Sequence, residues 1–196
     1  MKINFLHTSV ASELFKIEPA SRTKPDWWVA MPFTTQHTEG SPSEFADIST
    51  LKACPAIHSN FNMGYVIKAP MDFEIHSFDN HYEITFPNAE NEYLRKNLQF
   101  GHVREQYEGF AEIAEEFHDQ TFKVYTDIYV TSTEPCNLFL NAPHWASFHR
   151  NIVMMDATLQ ISEEIYDRVG HAIIPNFLVK KNTKTLIKQG EPFIQV

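Results

Sequence analysis

The chain has 196 residues, 43% of them hydrophobic and 21% charged, with 16 phenylalanines against 6 glycines. That composition excludes a disordered or low-complexity chain and suffices for one domain with a sizeable core. The net charge of -9 opposes a surface built to neutralise nucleic-acid phosphates, and equally one built to lie on an anionic membrane.

Lys2–Leu6 is expected to be the first strand. Met1 to Arg22 carries His7, Glu13, Lys16 and Glu18, so it does not have the character of a secretory signal. No apolar run approaches the length that spans a bilayer. Pro19 to Pro25 is a polar link leading to Asp26-Trp27-Trp28. Paired tryptophans serve either as core anchors, with a buried body and one N–H bonded at the rim, or as a stacking platform for a ligand or partner. Gln36 to Phe45 holds Gly40 and Pro42 and is expected to be a surface loop, followed by a strand over Ile48–Ala53.

The most strongly patterned stretch runs from Cys54 to Phe86. Proline suits the first helical position, so Cys54-Pro55 opens a short helix over Ala56 to Met63. Gly64 is placed to end it in the left-handed conformation. Tyr65 to Lys68 is a strand, which Pro70 interrupts because proline cannot donate to a ladder. Tyr82, Ile84 and Phe86 alternate with His81, Glu83 and Thr85, and Asp79-Asn80 is turn chemistry. Met71–Ser77 and His81–Phe86 are therefore expected to form a β-hairpin.

Pro87 to Asn97 is polar and predicted to be irregular. Val103, Tyr107, Phe110, Ala114 and Phe117 step by four, three, four and three, which predicts an amphipathic helix to His118. Its acidic side, Glu105, Glu108, Glu112, Glu115 and Asp119, is a solvated face, and Gly109 weakens it by about 1 kcal/mol relative to alanine. Further strands are predicted at Phe122–Thr126 continuing through Ile128–Thr131, at Asn137–Leu140, Ile152–Met155, Ala172–Val179, Thr183–Lys188 and Pro192–Val196. Asn182 and Gln189-Gly190 supply the last turns. The set describes a mainly β (α+β) chain: a single domain over residues 1–196, a β-sandwich or jelly roll with one helix packed on it.

The chemistry-bearing residues are few. There is no P-loop, GxGxxG, GxSxG or HExxH motif. Cys54 and Cys136 fit no metal-ligand spacing and are expected to be buried, reduced thiols of an intracellular protein. His81 and Glu83 share one side of a strand, and His144 or His149 follows in a later β region. Two histidines and a carboxylate on a double-stranded β-helix form the facial set of non-haem Fe(II) oxygenases, which requires His81 to point inward. The alternation with Tyr82, Ile84 and Phe86 places it instead on the solvent face. Asn141-Ala142-Pro143-His144-Trp145 either caps the fold as a loop or lines a pocket through His144 and Trp145. With Trp27 and Trp28, these two form the candidate ligand-binding set.

Several pieces, in order, resemble an uncharacterised family of tailed phages, notably those of marine bacteria, and of some bacteria. They are PASRTKPDWW, KACPAI, GYVIKAPMDFEI, GHVREQYEG, FKVYTDIYV and IKQGEPFIQV, and together they cover most of the chain. The family pattern continues a few residues past the last piece. The resemblance implies a phage-encoded accessory protein, in the cytoplasm of the infected host or in the virion and not secreted. It carries no established activity. The expected role is a non-catalytic binding or assembly domain without cofactor, with a protein partner or self-association and no nucleic acid or membrane. The alternative is the Fe(II) oxygenase.

Overall fold

The computed structural model describes residues 1–36, 47–87, 98–100, 115–161 and 171–196. In chain order the first elements are β1 (Ile3–His7), α1 (Ser9–Leu14), β2 (Ile17–Pro19), α2 (Asp26–Ala30), β3 (Thr34–Gln36), β4 (Asp47–Ser49) and α3 (Pro55–Asn60). Then come β5 (Tyr65–Lys68), β6 (Phe73–Ser77), β7 (Tyr82–Thr85), β8 (Leu98–Phe100), β9 (Phe122–Val124), β10 (Ile128–Ser132) and β11 (Cys136–Leu140). The last are β12 (Ile152–Met154), β13 (Ala157–Ile161), β14 (His171–Ala172), β15 (Asn176–Val179), β16 (Lys184–Ile187) and β17 (Pro192–Gln195). The fold is mainly β and sandwich-like, as the sequence pattern predicts.

Short antiparallel sheets pack on one another: β1-β10-β14, β12-β15-β9-β8, β16-β6-β7 and β17-β5-β2, with the pairs β11-β13 and β3-β4. Several of them bury one side of their strands. In β6 the residues Phe73, Ile75 and Ser77 are buried while Glu74 and His76 are half-exposed, the period of two that a half-buried strand imposes. One cluster of buried side chains runs through these sheets from Ala11 to Ile194. At its centre is a phenylalanine group. Phe177 stacks on its cross-strand partner Phe122 (4.8 Å) and on Phe193 (4.9 Å), and Phe193 meets Phe73 and Phe148 edge-on, each at 5.7 Å.

The hairpin forms where it is expected, with Ile75 opposite Ile84 and His76 opposite Glu83. Gly64, Asn182 and Gly190 all adopt positive φ. The final strand is paired within the fold: β17 pairs with β5, and on its other side Gln195 makes one bridge to Asn141. An uncovered edge there would invite pairing with other chains.

Other expectations change. Ile48–Ala53 is not one strand, because β4 ends at Ser49 and Leu51–Ala53 is a turn of 3-10 helix in which the Lys52 N–H donates to the Thr50 hydroxyl and the Ala53 N–H to the Thr50 carbonyl. The run from Phe122 to Thr131 divides at Asp127, whose φ of 51° turns the chain from β9 into β10 in another sheet. Helices α1 and α2 stand where no helix is expected; both are short and rest on packing, since isolated helices of this length are not stable. Cys54 and Cys136 are free thiols, half-buried rather than buried. The amphipathic helix predicted from Val103 lies outside the described residues up to 114, and Phe110 with it. The last part of that prediction is replaced: Glu115 and Glu116 form a turn, and Phe117 makes an isolated bridge to Lys180. No helix among the described residues is long and apolar enough to cross a membrane.

Candidate functional site

Two regions collect polar or aromatic side chains at the surface. The first is the corner made by α2, the 3-10 turn Leu51–Ala53 and α3. Pro25 and Asp26 start α2, with a carboxylate at the positive helix end, and the element stops just before Pro32. Such a short helix turns one tryptophan in and the next out. Trp28 is 2% exposed and Trp27 is 53% exposed.

Trp28 stacks on Phe61 (centroids 4.0 Å, 21°), and Phe61 stacks on Trp145 (4.5 Å, 26°). Two rings this close and this parallel to Phe61 must occupy its opposite faces. His58 adds a fourth layer on Trp28 at 6.4 Å. Trp27 stands edge-on to Trp28 (5.9 Å) and to Phe61 (6.0 Å), which holds it in place while half its surface stays in water. Trp145 is half-buried, and its indole N–H finds no acceptor among the described residues.

Beside Trp27, the Lys52 ammonium donates to the carbonyl oxygens of Val29 (2.9 Å) and Met31 (2.8 Å), closing the C-terminal end of α2. It also lies 5.4 Å from the centre of the Phe33 ring. Val29, Phe33 and Leu51 are all exposed around it.

The second region is a cleft of about 300 Å³ lined by Asp79, Asn80, His81, Tyr82, His118, Asp119, Gln120 and Lys181. The β6–β7 turn and the segment entering β9 form it. His118 is its fixed point: the ring is buried, and its Nε2 lies 2.7 Å from the Ser77 hydroxyl in a hydrogen bond across 41 residues. Burial pushes the His118 imidazole below its ordinary value of 6.5, with Lys181 and His81 adding to the effect and Asp119 and the Phe78 carbonyl opposing it. A neutral imidazole bonded to a buried hydroxyl fits a structural clasp.

The sign of the pH dependence follows. The unfolded chain takes up this proton at higher pH than the folded one, so His118 contributes stability that is complete above pH 6.5 and is lost as pH falls through the lower, folded-state value. The urea midpoint is expected to drop between about pH 7 and pH 5, and the His118→Gln variant to show a flatter profile over that interval. An identical slope in the variant would assign the dependence to other groups.

The sequence candidates divide accordingly. Trp28 and Trp145 come together through Phe61, a residue that no motif singles out. Trp27 joins them from outside. His144 is exposed in the loop after β11, beside Trp145 in sequence. His81 and Glu83 have side chains 60% and 62% exposed, with 3.8 Å between Nε2 and Oε1. His81 stacks on Phe78 at 4.7 Å, at the surface rather than in a barrel interior. Among the described residues no three His, Cys, Asp or Glu side chains assemble into a metal-binding group. His81 and Glu83 thus stand on the solvent face rather than in the inward position that the Fe(II) set requires. His149 lies in the 3-10 turn Ser147–Arg150, and its side chain is outside the described residues. Sequence reasoning also missed the Ser77–His118 pair. Burial at Ser77 was legible from the alternation of β6, but its partner belongs to a segment read as helix.

Comparison with family models, with curated proteins and with solved structures returns no match.

Proposed function

We propose that this chain is a non-catalytic binding or assembly protein, of the phage accessory kind its sequence resembles, and that it docks through the corner around Trp27. What carries the proposal is Trp27 itself: an indole half in water, braced edge-on against buried rings, with exposed Val29, Phe33 and Leu51 nearby. Interface energy concentrates in such preordered aromatic anchors, because little side-chain entropy remains to be lost on binding.

Charge narrows the surface that fits. Among the described residues, Lys52 closes the α2 end and Lys24 bonds Asn62 just past α3, which puts two cations at the corner beside Asp26 in a chain of net charge -9. An acidic surface complements it, whether on another protein or elsewhere on a second copy. Two copies meeting corner to corner would oppose like charges.

Sedimentation velocity of the purified protein across concentration tests the assembly arm. We expect association that weakens as salt is raised, and that Trp27→Ala weakens by at least about 2 kcal/mol, roughly 30-fold in dissociation constant. Metal analysis of the same sample is expected to find no stoichiometric transition metal. A monomer at every concentration, carrying one equivalent of iron, overturns the proposal in favour of the oxygenase.

A further inference from the structure

We infer that the cleft around His118 is a binding site for a neutral, hydroxyl-rich ligand, a mono- or disaccharide unit. Its size, about 300 Å³, stands at the lower end of small-molecule sites and suits one or two sugar rings. The lining is nearly all polar but has no dominant sign: it holds the carboxylates of Asp79 and Asp119, the ammonium of Lys181 and the amides of Asn80 and Gln120. An anion would meet two carboxylates, and a cation would meet Lys181. A hydroxyl group both donates and accepts, so each of these side chains can serve it.

Internal bonds hold the walls in place. Asn182 Nδ2 donates to Asp79 Oδ1 at 2.8 Å, Lys181 Nζ donates to the Glu115 carbonyl at 3.0 Å, and Ser77 fixes His118. Rigid planar polar groups lose little freedom when a weakly held ligand arrives.

A second, independent feature points to the same chemistry. Phe78 is 44% exposed, directly before Asp79, and its ring lies parallel to that of His81 (18°). The two rings stack face on face at 4.7 Å, and the 44% exposure of Phe78 leaves aromatic surface open to solvent next to the polar cleft. A pyranose has the matching division, with hydroxyls around its rim and a C–H face that packs on an aromatic ring. This site is separate from the Trp27 corner, and neither proposal depends on the other.

The test is a titration of the full chain with glucose, galactose, mannose, N-acetylglucosamine and their common disaccharides, read by NMR at the imidazole signals of His81 and His118. At least one sugar is expected to move the His81 signals saturably, with a dissociation constant of about 1 mM or below. Phe78→Ala and Gln120→Ala, both at exposed or half-exposed positions, are expected to weaken that binding about tenfold while the thermal midpoint stays within the range of surface substitutions. Absence of any saturable shift across the panel overturns the inference, and so does inorganic phosphate shifting the signals more strongly than every sugar.

Discussion

Replacing Gly64 by alanine is expected to cost at least about 3 kcal/mol, from two contributions that add. Gly64 has a φ of 74°, where a Cβ carries a penalty of roughly 1–2 kcal/mol. A Cβ built there also collides with the Val196 carbonyl oxygen. That oxygen accepts from the Tyr65 N–H at 2.8 Å, and the Val196 N–H donates to the Tyr65 carbonyl at 2.8 Å. The clash is with backbone, so no side-chain rotation relieves it. Relief requires the Val196 backbone, just past β17, to move away from Tyr65, which gives up these bonds. The thermal midpoint should fall by about 6–12 °C, taking about 2–4 °C per kcal/mol for a chain of this size. Gly190→Ala is the control. Its φ is 83°, but nothing lies within 4 Å of the added Cβ, so it should lose only the backbone contribution of about 1–2 kcal/mol. Equal losses at the two sites would show that the close approach to Val196 contributes nothing.

Phe193→Ala is expected to cost about 3–5 kcal/mol. Phe193 is fully buried in β17, yet its ring meets residues of other sheets: Phe177 of β15 at 4.9 Å and Phe73 of β6 at 5.7 Å, with Phe148 also at 5.7 Å. Its removal leaves a cavity bordered by strands of three sheets. These strands are held in register by their own ladders and cannot all close on the gap, so the cost should lie at the upper end of the range. Phe139 of β11 is 68% exposed, and its truncation should change stability by no more than about 0.5 kcal/mol. Urea unfolding monitored by circular dichroism checks both variants. A loss below about 1 kcal/mol at Phe193 would mean that the rings repack around the vacancy.

The contrast between the two tryptophans shows where sequence reading stops. Asp26-Trp27-Trp28 announces two large amphipathic rings and does not say which one faces water. That depends on a five-residue helix, and on Phe61 arriving from α3 to receive Trp28 on one face and Trp145 on the other. The three rings are separated by 33 and 84 residues, and no local pattern encodes their meeting. The Ser77–His118 bond is of the same kind, since it joins a hairpin to a distant segment.

What the sequence determined by itself is local. The period of two in β6 and β7 gave their inward and outward sides, and with them the exposure of His81 and Glu83. The left-handed position at Gly64 and the turns at Asn182 and Gly190 followed from residue type, and all three have the positive φ that glycine and asparagine tolerate. Proline marked the start of α3, but the helix ends at Asn60 with Phe61 as its cap, so Gly64 turns the chain into β5 rather than ending the helix. Only the tertiary structure decided that the run through Asp127 splits between two sheets, that Trp27 is presented and Trp28 buried, and that β17 pairs with β5 and meets Asn141 at Gln195. Each of those outcomes rests on contacts between distant segments. Their energies depend on which surfaces the packed sheets leave open, and that is a property of the whole chain rather than of any window along it.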